Sequence, residues 1–285
     1  PILVQPGDVI IIGNTESDEV YPANYLNIQE KIEIGQRILI GDGDVELNLK
    51  EKKDGKMFLE IVYGTKINPG KAMNFPGTSF ANEVLTEKDM QNLNHAKSLN
   101  WDFVSASFMR NAESAKYVKE QIKDSQMKLI AKIEDDEGVK NIDEILDIAD
   151  GVMIARGGLG VELGLEKVPH IQRLLIDKCN KAAKPVITAT QMLESMTYNP
   201  RPTRAEANDV ATAIFQGTDS VMLSGESSAG TYPGETVEFM TKIIKETEGY
   251  LEPKIIDSRT PGPLSTDALT KSAAQMCIDM QSENN

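Results

Sequence analysis

The sequence predicts an α/β protein: a partial (β/α)8 barrel of the TIM type with an inserted small all-β domain. Two observations predict this fold. Residues 1–70 are short apolar runs separated by turns, as in a small β domain. From about residue 71, five apolar runs start roughly 23 to 34 residues apart, each with a helical pattern after it, which is about the length of one βαβ unit.

Residues 1–70 are expected to form a small β-barrel-like cap domain. Between Val45 and Lys50, apolar and polar residues alternate with a period of two, which places the apolar side chains on one face of a strand. Asp54-Gly55 is a dipeptide that closes two-residue hairpins, and the run from Met57 to Tyr63 follows it as a second strand.

Residues 71–252 are expected to form the last five strands of the barrel and their helices. Thr86 with Asp89, and Thr203 with Glu206, have the spacing of helix N-terminal capping boxes. A barrel is favoured over an open doubly wound sheet because no strand leads into a Gly-x-Gly-x-x-Gly turn, whereas polar groups recur at strand ends. The five strand runs are 101–108, 128–133, 151–155, 185–190 and 219–224.

A closed barrel of this type needs eight strands, and the sequence supplies five. Residues 253–285 contain a Pro/Gly-rich link and the start of an amphipathic helix, so they are expected to begin a C-terminal α/β domain. The interpretation is that the 285 residues are an excerpt of a longer protein.

Composition excludes several classes of function. The net charge of −14 argues against nucleic acid as a partner, because such binding depends on Lys and Arg. No apolar stretch approaches the ~20 residues that span a bilayer, so no membrane association is expected. Two cysteines and two histidines without metal-ligand spacing are typical of a reducing, cytoplasmic protein.

Lys132 and Glu134 form the first candidate site. They are two residues apart on a strand, so both side chains project to the same side. At a barrel mouth this pair could hold an anionic substrate together with a divalent cation. A half-buried ion pair without a ligand is the alternative, and the spacing alone does not decide between the two.

Three further candidates follow from local patterns. Gly157 and Gly158 follow a strand, where backbone N–H groups can face a phosphate or carboxylate, although a tight turn without a ligand has the same pattern. Thr190 ends the fourth run, where it could relay a proton or simply pack. Lys71, where the β domain returns to the barrel, could contact a ligand or remain solvated.

Taken in order, several long motifs resemble the pyruvate kinase family over essentially the whole chain. They are Lys132-Ile133-Glu134, Asp150-Gly151-Val152-Met153-Ile154-Ala155-Arg156-Gly157, the stretch from Ala189 to Glu206 around Met192-Leu193-Glu194-Ser195-Met196, and Val221-Met222-Leu223-Ser224-Gly225-Glu226.

The resemblance implies transfer of the phosphoryl group of phosphoenolpyruvate to ADP, giving pyruvate and ATP, with Mg²⁺ or Mn²⁺ and K⁺ and in a homo-oligomer, usually a homotetramer. Lys132 matches the lysine that neutralises the transferring phosphoryl group, and Glu134 matches a ligand of the divalent metal. Thr190 matches the threonine beside the substrate. The backbone of Gly157 and Gly158 matches the donors to the substrate carboxylate, and Lys71 matches a lysine that contacts the nucleotide.

One departure from the family pattern concerns the metal. The family has Arg-Gly-Asp-Leu-Gly where this chain has Gly158 in place of the aspartate, so the second carboxylate ligand is absent. We expect a loss of turnover on the order of 10²–10³, as for removal of one electrostatic stabiliser. One alternative is a catalytically inactive family member that serves as a scaffold or assembly subunit. Another is a different barrel enzyme that forms an enolate from a keto acid, which would keep Lys132 and Glu134 but would not need the motif around Thr190.

Overall fold

The structure is a computed structural model that describes residues 1–13, 20–22, 28–41, 43–78 and 84–251. The predicted start of a C-terminal domain, residues 253–285, therefore lies outside the described residues. The chain divides into two compact units. The first is Pro1–Ala149 with Ala155–Gln172, and the second is Asp150–Ile154 with the described part of Arg173–Asn285.

The first unit begins with a β domain. Its main sheet has the strand order β3-β2-β6-β5-β4-β8, and β1 pairs with β7 in a separate two-stranded ribbon. The last strand lies beyond the boundary expected at residue 70. The elements are β1 (Ile2–Leu3), β2 (Val9–Gly13), β3 (Tyr21–Pro22), a short helix α1 (Ile28–Lys31), β4 (Arg37–Ile40), β5 (Val45–Lys53), β6 (Lys56–Tyr63), β7 (Lys66–Ile67) and β8 (Met73–Asn74).

The period-two pattern of β5 gives this sheet its core face. Val45, Leu47 and Leu49 are buried while the residues between them are not, as the alternation predicts. At the end of β5, Asp54 and Gly55 both take left-handed φ values, 52° and 72°, as a two-residue hairpin turn requires. The turn joins β5 to the antiparallel β6.

From residue 87 onward, strands and helices alternate. The elements are α2 (Glu87–Ser98), β9 (Phe103–Ala106), α3 (Ala112–Ile122), β10 (Lys128–Ile133), α4 (Asp136–Lys140), α5 (Ile142–Leu146), β11 (Gly151–Ala155), α6 (Arg156–Leu163), α7 (Val168–Lys181), β12 (Val186–Ala189), α8 (Arg204–Gln216), β13 (Ser220–Met222), α9 (Gly225–Ser228) and α10 (Pro233–Glu248), with short 3₁₀ helices at Leu165–Lys167 and Glu194–Thr197.

The five predicted strand runs all contain a strand, and neighbouring strands pair in parallel within each unit. In the first unit β9 pairs with β10, from Phe103 opposite Lys128 to Ala106 opposite Ala131. In the second unit β12 pairs with β13. Parallel pairs put the carboxyl ends of neighbouring strands at one edge, where barrel proteins place their functional residues.

The two predicted capping boxes are confirmed. The Thr86 hydroxyl accepts from the backbone N–H of Asp89, whose carboxylate accepts from the Thr86 N–H, and this pair starts α2. Thr203 and Glu206 start α8 in the same way. None of the described helices combines the length and apolar character needed to cross a membrane.

Candidate functional site

Lys132 and Glu134 lie together at the carboxyl end of β10. The Lys132 Nζ atom is 3.2 Å from Glu134 Oε1, and the two side chains are 24% and 11% exposed. Ile133 between them is fully buried. The alternation of the strand therefore brings the ammonium and the carboxylate to one side, as the spacing predicted, and the ion pair of the alternative interpretation is indeed present.

The segment after β9, residues 107–111, holds both side chains; we call it the β9 loop. The Lys132 ammonium donates to Ser107 Oγ at 2.8 Å, and the Phe108 N–H donates to Glu134 Oε2 at 2.8 Å. The Met109 N–H donates to the backbone oxygen of Lys132 at 3.1 Å. The loop thus fixes the orientation of the cation and of the anion.

The predicted glycine turn is instead the first turn of α6. This helix begins at Arg156, directly after β11 ends at Ala155, so Gly157 and Gly158 are helical residues. The reason is that the strand passes into the helix without an intervening loop. First-turn N–H groups lie outside the hydrogen-bond ladder of their own helix, so this end of α6 favours negative charge.

Gly158 lies against Glu134. A Cβ atom at position 158 would be 3.0 Å from the Glu134 Cβ atom and 3.1 Å from its backbone oxygen. The structure therefore brings Gly158 to the carboxylate that the resemblance assigns to the metal. A side chain at position 158 would start beside Glu134, and it would be tightly packed there.

The residues present fit only a weak divalent-metal site. Within the described ranges, no group of three or more His, Cys, Asp or Glu side chains is arranged to hold a metal ion. At the predicted metal position the Glu134 carboxylate is an oxygen ligand, and Gly158 has no side chain that could supply another. Mg²⁺ is commonly held by one or two carboxylates together with water and substrate phosphate oxygens, so one carboxylate meets the minimum.

By resemblance to the family Ser107 would lie near the K⁺ site, but the residues present do not fit K⁺ at its hydroxyl. Its hydroxyl accepts from the Lys132 ammonium, so a monovalent cation on the same oxygen would lie beside a positive charge.

Thr190 lies in the second unit, directly after β12. Thr190 and Gln191 have left-handed φ values of 72° and 52°. This conformation is especially costly for Thr190, because its side chain is β-branched. The Thr190 hydroxyl donates to the oxygen of Ala189 at 2.6 Å. The fully buried Glu226 accepts from the N–H groups of Leu193 and Ser224 and so ties the loops after β12 and β13 together.

Lys71 lies on the β domain. Its Nζ atom is 3.9 Å from Asp44 Oδ2, and its side chain is partly exposed. This distance is at the limit for an ion pair, and surface pairs of this kind contribute little free energy. Lys71 is accordingly placed with the β domain and remains a predicted nucleotide contact.

Sequence reasoning missed the Arg110–Asp135 pair. Arg110 Nε donates to Asp135 Oδ2 at 2.6 Å, and Asp135 Oδ1 accepts from the Gly138 N–H as the N-cap of α4. An aspartate two residues after the end of a strand and three residues before a helical Gly138 is a recognisable N-cap signal. Its arginine partner, 25 residues earlier, has no such local signature.

A further carboxyl belongs to this charge cluster. Burial, and next the negative charge of Asp135, raise the pKa of Glu162, against the lowering effects of the Gly77 N–H and of Arg110. Arg110 therefore interacts with two acids, Asp135 and Glu162.

The fold and the site define a class: a βα-barrel protein with a β domain and a Lys–Glu pair at the carboxyl end of a barrel strand. A sequence model described as "Pyruvate kinase, barrel domain" matches residues 6–237. The chain belongs to the pyruvate kinase family. This membership confirms the predicted partial barrel.

Curated relatives agree with this assignment. A pyruvate kinase of Geobacillus stearothermophilus is 43% identical over 98% of this chain and 49% of its own length. One from Clostridium perfringens is 43% identical over 94% of this chain and 58% of its own length. One from Dictyostelium discoideum is 43% identical over 79% of this chain and 45% of its own length. The chain spans about half the length of the curated relatives it matches.

Proposed function

We propose that the protein transfers the phosphoryl group of phosphoenolpyruvate to ADP, giving pyruvate and ATP. The observation that carries the proposal is the Lys132–Glu134 pair, with Nζ and Oε1 3.2 Å apart at the carboxyl end of β10. Membership of the family supplies the reaction class. A homo-oligomer in the cytoplasm belongs to the same proposal and rests on the family resemblance.

Lys132 would stabilise the negative charge on the phosphoryl group that is transferred. Phosphoryl transfer requires mostly positioning and positive charge near the equatorial phosphoryl oxygens. The Lys132 side chain is only 24% exposed, and its ammonium is already oriented by Ser107 and Glu134. A cation held in this way needs little reorganisation when charge develops on the substrate.

Glu134 would hold a divalent cation, Mg²⁺ or Mn²⁺, together with oxygens of the substrates. When bound, the ion would supply Lewis-acid stabilisation of phosphoryl oxygens. The protein's own part is to orient the carboxylate, and the Phe108 N–H does so by donating to Oε2. That bond leaves lone pairs on both carboxylate oxygens for a cation.

The other predicted residues have supporting roles in this proposal. Backbone N–H groups at Gly157 and Gly158, in the first turn of α6, would bind the substrate carboxylate. The Thr190 hydroxyl would hold or deliver the proton that the enol carbon receives when pyruvate forms. Lys71 would contact the nucleotide from the β domain.

A coupled assay tests the proposal. The protein, expressed from its complete reading frame, is assayed with phosphoenolpyruvate, ADP and Mg²⁺ or Mn²⁺, and compared with Lys132→Gln and with the control Lys140→Gln. Lys140 pairs with Asp136 on the exposed side of α4. We expect Lys132→Gln to lower turnover by about 10²–10³ or more and Lys140→Gln to leave it within twofold. Equal turnover for both variants would overturn the proposal.

The second candidate is a family member that binds ligand without turnover, and Gly158 favours it. In that case the assay gives no turnover, yet calorimetry with phosphoenolpyruvate shows binding that Lys132→Gln weakens. If neither turnover nor Lys132-dependent binding is measured, both candidates are wrong.

A further inference from the structure

The β9 loop has an uncommon conformation at the residue that contacts Glu134. Phe108 has a φ of 52°, in the left-handed region that bulky residues rarely adopt because it is strained for them. Its N–H donates to Glu134 Oε2 at 2.8 Å. Tertiary contacts must therefore hold Phe108 in this conformation if the hydrogen bond is to persist.

Arg110 is connected to its surroundings at three points. Its Nε donates to Asp135 Oδ2 at 2.6 Å. Its guanidinium lies 5.5 Å from the centre of the Phe108 ring, within the range of a cation–π contact. Its backbone oxygen accepts from the Asn141 side chain at 2.8 Å. Arg110 therefore ties the β9 loop to the segment after β10 and also covers the Phe108 ring.

Asp135 is buried, and each of its carboxylate oxygens has a hydrogen-bond partner. One carboxylate oxygen binds Arg110, and the other caps α4 through the Gly138 N–H. Asp135 directly follows Glu134, so two neighbouring carboxylates would repel each other if neither had a cation. Here each has its own, Arg110 for Asp135 and Lys132 for Glu134.

We propose that Arg110 and Asp135 are positioning residues that hold Phe108 in its left-handed conformation and thereby aim the Glu134 carboxylate. The Arg110 guanidinium also keeps Asp135 engaged, so that Glu134 is the carboxylate presented to a cation. The consequence for metal binding rests on the proposed function. The positioning of Glu134 by the Phe108 N–H does not depend on the proposed function.

Hydrogen exchange tests the positioning step. The exchange rate of the Phe108 amide, measured by NMR, is compared with the rates of the β10 amides in wild type, Arg110→Gln, Arg110→Lys and Asp135→Asn. We expect Phe108 exchange to rise about tenfold or more relative to β10 in Arg110→Gln and Asp135→Asn, because the local hydrogen bond opens more often. Arg110→Lys should recover part of the protection.

The matched control is Arg37→Gln. Arg37 forms a 2.7 Å pair with Glu46 in the β domain and should leave Phe108 exchange unchanged. If Arg110→Gln and Asp135→Asn are folded and the ratio of Phe108 to β10 exchange stays as in wild type, the positioning role is wrong. If one variant does not fold, the other and Arg110→Lys supply the same comparison.

Affinity for Mn²⁺ alone, measured by electron paramagnetic resonance, tests the consequence. We expect Arg110→Gln and Asp135→Asn to weaken it about 10- to 100-fold, as outer-shell partners of metal ligands do, with Arg37→Gln unchanged. Wild type and Glu134→Gln with equal Mn²⁺ affinity would overturn the metal role in the proposed function, and Phe108 exchange would then decide the positioning role alone. Mn²⁺ affinity that depends on Glu134 but is unaltered in Arg110→Gln and Asp135→Asn would overturn the positioning proposal.

Discussion

Position 158 sets the number of carboxylates beside the end of β10. Gly158 lies where a Cβ atom would be 3.0 Å from the Glu134 Cβ atom, so any larger residue must displace Glu134 by a few tenths of an ångström. Two effects therefore oppose each other in a substitution there. A carboxylate would add a second acid beside Glu134, and the added atoms would crowd the Glu134 side chain.

We predict that Gly158→Asp raises Mn²⁺ affinity at least tenfold and raises turnover by about 10²–10³, because a second carboxylate completes the usual Mg²⁺ donor set. The measurements are Mn²⁺ titration and the coupled assay. Gly158→Ala is the matched control, since it has the same Cβ crowding without the carboxylate. Equal metal affinity for Gly158→Asp and Gly158→Ala would contradict the prediction.

Cys179 is a buried, free cysteine. Burial, and next the negative charge of Asp219, raise the pKa of the Cys179 thiol from 9.0 to about 12. We expect a variant with Cys277→Ser to react with a thiol reagent at pH 8 at least ~100-fold more slowly when folded than in urea, because the thiolate is the nucleophile. Comparable rates in the two states would show that Cys179 is accessible and ionised.

The raised pKa of Cys179 also makes the free energy of unfolding depend on pH. The folded state keeps the Cys179 proton to higher pH than the unfolded state, so this contribution is present below about pH 9 and is lost as the pH rises toward 12. Cys179→Ala should remove that part of the pH dependence. A free energy of unfolding with the same slope above pH 9 in both proteins would contradict this account.

At the scale of elements, Glu206 does more than cap α8. Its carboxylate accepts from the N–H and hydroxyl of Thr203 and from the N–H and hydroxyl of Ser195 in the 3₁₀ helix Glu194–Thr197. Burial raises the pKa of Glu206, but these hydrogen bonds together outweigh burial and lower it. One carboxylate thus joins two elements that follow β12.

We predict that Glu206→Gln lowers the free energy of unfolding at pH 7 by about 1–2 kcal/mol, because hydrogen bonds to a charged acceptor are lost. Since the folded pKa is lowered, this stabilisation is present above the unfolded pKa near 4.5 and disappears as the pH falls through the folded value. Urea unfolding at pH 7 and at pH 3.5 measures the difference between wild type and variant.

Asp89→Asn is the matched control for Glu206→Gln. Asp89 completes the other capping box, but its described hydrogen bonds are to Thr86 alone, so its loss should cost less than about 1 kcal/mol. If Asp89→Asn costs as much as Glu206→Gln, the bonds to Ser195 do not contribute and the linking role is wrong.

These elements also show what a sequence can predict. The capping boxes at Thr86 and Thr203 depend on residues three apart, so local spacing was sufficient. Lys132 and Glu134 share a side because strands alternate. Arg110 with Asp135 could not be predicted, since their contact requires the register of β9 against β10. The left-handed Phe108 is set by tertiary contacts that override its own preference.

Net charge and exposed apolar surface have opposite effects on association between copies of this chain. A charge of −14 makes copies of the chain repel one another at low ionic strength. Among the described strands, β9 lies at the end of its sheet order and leaves one edge unpaired. Trp101 and Phe103, beside and within this strand, are 55% and 58% exposed. Unpaired strand edges with apolar side chains favour association between chains.

We predict that the 285-residue chain self-associates through β9, more strongly as salt screens the charge, and that Phe103→Lys reduces this association. A lysine at an edge strand opposes edge-to-edge pairing and removes exposed aromatic surface. Sedimentation velocity at several protein concentrations, in 0.02 M and 0.15 M salt, measures the effect; the screening length is about 8 Å at 0.15 M. Leu165→Lys is the control, because Leu165 is 72% exposed but lies in a 3₁₀ helix and not in a strand. If the chain is monomeric at all concentrations, or if Leu165→Lys reduces association as much as Phe103→Lys, then β9 is not the surface through which the chains associate.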